Sequence, residues 1–150
     1  MIELQDVTVA YDNRVILDRI TMTIQDGETL VILGGSGSGK STMLRLLIGL
    51  QRPTSGRILV DGQEITGISE KAFNQVRRKM GMVFQYSALF DSMSVGENVA
   101  FGLRQHTKLA EEEIQGIVSE RLAWVDLAGY ENYMPNELSG GMKKRVSLAR

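Results

Sequence analysis

The sequence has no cysteine, no long apolar run and almost no net charge, and each absence excludes a class of protein. Without cysteine among its 150 residues the chain has no disulfide scaffold, which is compatible with a reducing cytosol. Its 17 basic and 18 acidic residues show no polyanion-binding character in the total. No apolar run approaches the ~18 residues of a membrane span, and charges near the start predict no signal peptide. We therefore expect any role at a membrane to depend on a partner.

The first half of the chain carries apolar patterns that predict β-strands. Residues 2–11 (IELQDVTVAY) and 15–24 (VILDRITMTI) alternate apolar and polar side chains, as half-buried strands do, and residues 12–14 between them are typical of a hairpin turn. Residues 28–35 (ETLVILGG) and 80–85 (MGMVFQ) are continuous apolar runs, which predict strands covered on both faces. A further strand is expected in RILVDG, which ends in an Asp-Gly turn.

Helical patterns alternate with these strands and then dominate the second half. KSTMLRLLIG predicts a helix that stops at Gly49, and SEKAFNQVRRK predicts a short helix with Ser69 as its N-cap. VGENVAFGLRQ and AEEEIQGIVSERLAWVDL are also helical. We therefore predict an α/β part over residues 1–85 and a helical part over residues 86–150. The last of these helices has one apolar face, formed by Ile114, Ile117, Val118, Leu122 and Val125.

The segment GGSGSGKST has the residue types of a phosphate-binding loop. It fits the pattern G-x-x-x-x-G-K-[ST], comes directly after a predicted strand and opens a predicted helix. Glycines let backbone N–H groups turn towards an anion, and the helix N-terminus adds a partial positive charge. Lys40 supplies a full charge for the β- and γ-phosphates, and Ser41 a hydroxyl for Mg²⁺. The predicted nucleotide-binding residues are Gly34, Gly35, Ser36, Gly37, Ser38, Gly39, Lys40, Ser41 and Thr42.

Three further positions have both a functional and a structural interpretation. Tyr11 ends the first strand, where an aromatic ring either stacks on a purine or covers the core. Gln85 ends an apolar strand, where its amide either reaches a metal-bound water or phosphate or is solvated. In LSGG, Ser139 and the amides of Gly140 and Gly141 form either a second small anion site or an ordinary capped helix start.

Other conspicuous residues are expected to have structural roles. His106 is the one histidine, and it has no acidic or cysteine partner at ligand spacing, so we expect it on the surface. Trp124 is expected in the core or at its edge. The basic runs at 77–79 and 143–145 are expected to be solvated and imply no nucleic-acid partner.

Taken together, these motifs resemble the ATP-binding subunits of ABC transporters along the whole chain. The resemblance implies a P-loop NTPase of α/β class with an N-terminal antiparallel β part, a RecA-like core and a helical subdomain. It implies that Tyr11 stacks on adenine, that GGSGSGKST is the Walker A loop, and that Gln85 is the Q-loop glutamine near Mg²⁺. It makes LSGGM the signature motif, whose Ser139, Gly140 and Gly141 contact the ATP bound by a second subunit.

The resemblance also implies cofactors, partners and a location. These are ATP and Mg²⁺, a head-to-tail homodimer, a transmembrane permease, and a peripheral position on the cytoplasmic face of a bacterial inner membrane. Met142 stands where the signature usually has glutamine. With KKRVSLAR and FQYSALFDSMSVGENVAF, it is similar to the branch serving Mce/Mla-type phospholipid transport.

The family pattern continues beyond the residues present. Its Walker B strand, the glutamate that serves as general base and the switch histidine would follow Arg150, so the chain is expected to be the first part of a longer ATPase. In that case, the 150 residues bind ATP but do not turn it over, although Lys40 and Gln85 are present. The alternatives are an amino-acid or metal importer ATPase, a soluble ABC ATPase and a nucleotide-binding piece without turnover.

Overall fold

The computed structural model describes residues 1–12 and 14–150, which form two compact units, Met1–Gly81 and Met82–Arg150. The predicted hairpin turn at 12–14 includes Asn13, which lies outside the described residues. Each unit contains its own cluster of buried apolar side chains. The two units are therefore described one after the other.

The first unit contains one antiparallel sheet of four strands, in the order β2-β1-β3-β4. Its strands are β1 (Ile2–Tyr11), β2 (Arg14–Ile24), β3 (Ser55–Val60) and β4 (Gln63–Glu64). The alternating patterns of the sequence are thus confirmed as half-buried strands. Alternate side chains of the sheet face a core with two helices, and its members include Leu4, Val7, Val9, Leu17, Met43, Leu46, Ile58 and Phe73.

The two helices of this unit end and begin where the sequence indicates. Helix α1 (Lys40–Leu47) stops before Gly49, whose φ of 69° is left-handed. The N–H of Gly49 bonds to the carbonyl of Leu46, and that of Leu50 bonds to the carbonyl of Arg45, a Schellman ending. Helix α2 (Glu70–Arg77) is capped by the hydroxyl of Ser69, as predicted.

Helix α2 also holds the end of α1. The guanidinium of Arg77 donates to the carbonyls of Ile48 (2.9 Å) and Gly49 (3.2 Å), which have no partner within helix α1. The same guanidinium lies 4.6 Å from the ring centre of Phe73. A Cβ added to Gly49 would come within 2.4 Å of that ring. The end of α1 is therefore fixed against α2.

The second unit is helical, with α3 (Val95–His106), α4 (Glu111–Trp124), a 3-10 turn (Pro135–Glu137) and α5 (Gly140–Ala149). Ser94 and Glu97 form a capping box at the start of α3. Among the residues described, no helix is long and apolar enough to cross a membrane. The core contains Val95, Val99, Ile114, Val118, Leu122, Leu127, Leu138 and Val146.

An ion pair joins two of these helices. Arg104 near the end of α3 bonds to Glu111 at the start of α4. The guanidinium of Arg104, with a further bond from Gln115, holds the pKa of the Glu111 carboxyl below its usual value. Because both residues are exposed to solvent, the pair contributes little to stability.

Two predicted strands are absent. Residues 28–35 and 80–85 form no strand, and Val31 (68% exposed), Leu33 (86%) and Val83 (50%) face outward. A strand exists only when neighbouring backbones supply its hydrogen bonds, and among the described residues none pairs with either run. An apolar run predicts that its side chains will be buried. Whether it forms a strand depends on a neighbouring backbone that can pair with it.

The apolar face of α4 is partly as predicted, but Trp124 is not. Ile114, Val118 and Leu122 are buried, and Val125 is half-buried just after the helix. Trp124 is 72% exposed, so its prediction as a core residue is wrong. Two residues after Leu122 on a helix is about 200° around the axis, which turns Trp124 away from the buried face.

The glycine that ends α1 generates a stability prediction. Gly49→Ala should lower the free energy of unfolding by about 2–4 kcal/mol, because it adds a left-handed non-glycine residue and a clash with the Phe73 ring. Gly67→Ala is the control, since a Cβ there meets nothing within 4 Å. Urea unfolding measures both. Equal stabilities for the two variants would show that the close contact between Gly49 and the Phe73 ring does not require glycine.

Candidate functional site

One wall of the candidate site is a face of the β1–β2 hairpin. Tyr11 and Arg14 are direct partners across the two strands, and such partners point to the same face of a sheet. Ile16 lies at an irregularity of β2, between the paired residues Val15 and Leu17. All three line one cleft, and Tyr11 is 52% exposed. The hairpin thus presents an aromatic ring, an aliphatic side chain and a cation side by side.

The second wall is the glycine-rich loop and the lysine that follows it. The ammonium of Lys40 donates to the carbonyls of Gly34 and Gly35, each at 2.7 Å, and lies 3.4 Å from the hydroxyl oxygen of Ser38. A Cβ added to Gly34 would come within 2.6 Å of that hydroxyl oxygen. The loop therefore curls around the lysine head group, which concentrates its charge inside the ring of backbone.

Gly39 joins the loop to the sheet. Its φ of 92° is left-handed, and a Cβ there would come within 2.7 Å of the Leu17 side chain and 3.2 Å of the Ile16 carbonyl on β2. Only glycine permits this backbone to approach so closely. The approach sets α1 beside the hairpin, so that the two walls face one cleft.

The start of α1 has its backbone donors directed towards the cleft. Gly39 is the N-cap and has no side chain to cap the helix, whereas Ser69, Ser94 and Ser139 cap α2, α3 and α5. The first N–H groups of a helix have no partner within it, and they carry its partial positive charge. At α1 these donors belong to Lys40, Ser41 and Thr42. An uncapped helix start of this kind binds an anion.

Together the two walls enclose a cleft of about 330 Å³. Its lining includes seven residues predicted from the sequence: Tyr11, Gly37, Ser38, Gly39, Lys40, Ser41 and Thr42. The predicted loop residues Gly34, Gly35 and Ser36 are not part of the lining. It also contains Ile16 and two arginines, Arg14 and Arg45, which sequence reasoning missed. Arg45 is four residues after Ser41 on α1, and Arg14 faces Tyr11 across the hairpin. These two spacings are the signals that could have found them.

Gln85 lies in the second unit, in an exposed turn. The segment after it has a defined conformation: Ser87 and Ala88 are both left-handed, with φ of 64° and 50°. Buried Asn98 holds this segment further along, because its amide donates to the carbonyls of Phe90, Met93 and Ser94. Gln85 is thus exposed to solvent at the start of a loop that hydrogen bonds from Asn98 hold in place.

The segment LSGG begins α5 in the second unit. The hydroxyl of Ser139 accepts a bond of 3.3 Å from the N–H of Met142, which confirms the predicted N-cap. Gly140 and Gly141 are exposed, and a Cβ on either would meet nothing within 4 Å. Both have ordinary helical backbone, where glycine is less favourable than alanine. The fold of this unit therefore does not require glycine at either position.

The remaining sequence candidates have no site around them. His106 is exposed at the end of α3, as expected. No cluster of three histidine, cysteine or acidic residues among those described is arranged to hold a metal ion.

The first unit thus places a glycine-rich loop with the residue types of a phosphate-binding loop next to an aromatic ring, and comparison with known proteins identifies the family. A sequence model of the family described as ABC transporter matches residues 17–150, so this chain belongs to the ABC transporter family. The predicted family is thus confirmed.

Individual relatives have informative names. The probable ribonucleotide transport ATP-binding protein mkl of Mycobacterium tuberculosis is 48% identical over 149 residues, covering 99% of this chain and 42% of that protein. The intermembrane phospholipid transport system ATP-binding protein MlaF of Haemophilus influenzae is 44% identical over 150 residues, covering 100% of this chain and 57% of that protein. The chain thus spans about half the length of these curated relatives.

A solved structure confirms the predicted fold. The ATP-binding cassette MJ0796, in a dimeric post-hydrolysis state bound to ADP and Pi, superposes with a TM-score of 0.91 and 33% identity. The match covers 99% of this chain and 68% of the cassette. The α/β fold class with its antiparallel β part is therefore that of ABC ATPases.

Proposed function

We propose that the chain is part of an ATP-binding subunit that drives an ABC transporter by ATP-dependent dimerisation and hydrolysis. The observation that carries the proposal is the single cleft formed by Tyr11, the loop around Lys40 and the uncapped start of α1. An exposed ring suits a purine, and a lysine beside free backbone N–H groups suits its phosphates. The solved cassette bound to ADP and Pi supports the same ligand class.

The proposed ligand is ATP with Mg²⁺. Mg²⁺ prefers hard oxygen ligands and is usually held by one or two protein groups together with substrate phosphates. Ser41 lines the cleft, and its hydroxyl fits that requirement. The exposed amide of Gln85 is the second proposed metal-side group, and Lys40 is the proposed stabiliser of charge on the transferred phosphoryl group.

We assign LSGG a role in trans. Gly140 and Gly141 leave their N–H groups free of side chains at a helix start, although the fold does not need glycine there. We infer that a binding partner, and not the fold of this unit, requires glycine at these two positions. Two copies packed head to tail would place Ser139 and these amides against the ATP of the other subunit. The dimeric state of the solved cassette supports this arrangement.

For the transported molecule we propose a phospholipid or related lipid, handled by an Mce/Mla-type system. The name of the MlaF relative supports it, as do Met142 and the segment after Gln85. The name of the mkl relative favours a second candidate, a ribonucleotide. An amino-acid or metal importer ATPase and a soluble ABC ATPase remain the alternatives from the sequence.

The proposed partners and organisation follow from this function. They are a second ATPase subunit and a transmembrane permease, with the protein peripheral on the cytoplasmic face of a bacterial inner membrane. Residues 1–85 are proposed as the β part and first part of the ATP-binding core. Residues 86–150 are proposed as the Q-loop and helical subdomain that ends in the signature helix.

Base and phosphate recognition are predicted to be separable. In the intact protein, Tyr11→Ala should weaken ATP binding by about 1–3 kcal/mol, roughly 5- to 150-fold, through loss of stacking. Lys40→Ala should weaken phosphate binding and also abolish turnover, since it removes the positive charge that stabilises the phosphates. Calorimetric titration and phosphate release measure the two effects. Unchanged ATP affinity in Tyr11→Ala would refute the stacking role.

If the signature glycines act in trans, replacing them should impair dimerisation without lowering the stability of the fold. Gly140→Ala and Gly141→Ala should leave the free energy of unfolding unchanged or raise it by up to about 1 kcal/mol. Each variant should nevertheless dimerise about tenfold or more weakly in the presence of a non-hydrolysable ATP analogue, because the added methyl group displaces the phosphate contact. Gly116→Ala, at an exposed position of α4 with no atom near its Cβ, is the control and should leave dimerisation unchanged. Analytical sedimentation measures the monomer–dimer equilibrium. Normal dimerisation of Gly140→Ala and Gly141→Ala would contradict the proposed role in trans.

The transport function is tested by purification of the intact protein from membranes. We expect a membrane-embedded partner by mass spectrometry and phospholipid enriched over the bulk detergent extract. Lys40→Ala should retain the partner, because its lesion lies at the phosphates. Enrichment of ribonucleotides would favour the second candidate. Recovery without any membrane protein would overturn the transporter assignment in favour of a soluble ABC ATPase.

A further inference from the structure

The cleft contains more positive charge than a phosphate loop needs. Its lining includes Arg14, Lys40 and Arg45, and no acidic side chain of the described residues is among it. The whole chain has a net charge of −1, so this concentration of cations is local. Lys40 is turned into the glycine loop, whereas the two arginines lie outside the loop.

Both arginines are available for a ligand. Neither guanidinium forms an ion pair with any carboxylate of residues 1–12 and 14–150. Both residues are exposed. An arginine fork matches the geometry of phosphate oxygens and also stacks on flat rings. Two such groups on the same cleft as a phosphate loop present a complementary surface to an anionic ligand.

Their positions in the fold indicate which part of a nucleotide they contact. Arg14 shares the hairpin face with Tyr11, so it borders the place proposed for the base. Arg45 lies one turn beyond Ser41 on α1, about 6 Å along the axis from it. Helical side chains lean towards the N-terminus, which directs the Arg45 guanidinium back over the first turn. Arg14 therefore borders the proposed place of the base, and Arg45 borders the start of α1, where phosphate is proposed to bind.

We propose that Arg14 and Arg45 bind the ribose–α-phosphate part of the nucleotide. This inference rests on the proposed function of the cleft and adds two specific residues to it. It assigns the loop and Lys40 to the terminal phosphates, and the arginine pair to the part that ATP and ADP share. The pair holds the nucleotide equally before and after hydrolysis.

The test compares ATP and ADP binding by calorimetric titration of the intact protein. Arg14→Gln and Arg45→Gln should each weaken both nucleotides about three- to fivefold, and the double variant about tenfold or more. The factor should be the same for ATP and ADP. It should shrink as ionic strength rises, because exposed charges are screened. Arg14→Lys and Arg45→Lys should lose less affinity than the glutamine variants, because lysine keeps the positive charge but lacks the planar fork.

The matched control is Arg19→Gln, on the same strand as Arg14 but outside the cleft. It removes the same charge and should leave both affinities unchanged. Arginine variants of the cleft that behave like Arg19→Gln overturn this inference alone. A loss for ATP without a loss for ADP overturns the assignment to the shared part. Wild-type protein that binds neither nucleotide overturns the proposed function and this inference together.

Discussion

The close approach of Gly39 to β2 is the contact on which the candidate site depends. A Cβ at this position would meet the Leu17 side chain at 2.7 Å, so the loop reaches the sheet only because the residue is glycine. That approach begins α1 beside the β1–β2 hairpin. The uncapped N–H groups of the helix and the ring of Tyr11 then face the same cleft. The proposed places for phosphate and base are thereby coupled through one backbone contact.

The starts of α1 and α5 both contain glycine and serine, but they differ in how the helix is capped. At α1, glycine replaces the side-chain cap and leaves the backbone donors unused by the protein. At α5, Ser139 caps the helix, and the two glycines after it leave open space above their backbone. The first start can hold an anion within one subunit. The second is shallow and exposed, and an exposed pair of amides binds strongly only when another surface completes the anion site.

The rest of each unit keeps these short segments in place. The carbonyls at the end of α1 are held by Arg77 from α2, and the adjoining Gly49 packs under the Phe73 ring. In the helical unit, Asn98 binds three carbonyls of the loop that follows Gln85. Loops that carry functional groups need such support, because few contacts of their own fix their conformation.

The sequence by itself determined the local features. The alternating strands, the helix stop at Gly49, the caps at Ser69 and Ser139 and the phosphate loop follow from short-range geometry, and all but the role of the loop are visible in the fold. Tertiary structure decided what depends on distant neighbours. Residues 28–35 and 80–85 have no strand partner among the described residues, although their apolar runs predict strands. Arg14 and Arg45 are unremarkable in sequence, and only the packing of α1 against the hairpin places them on one cleft with Tyr11.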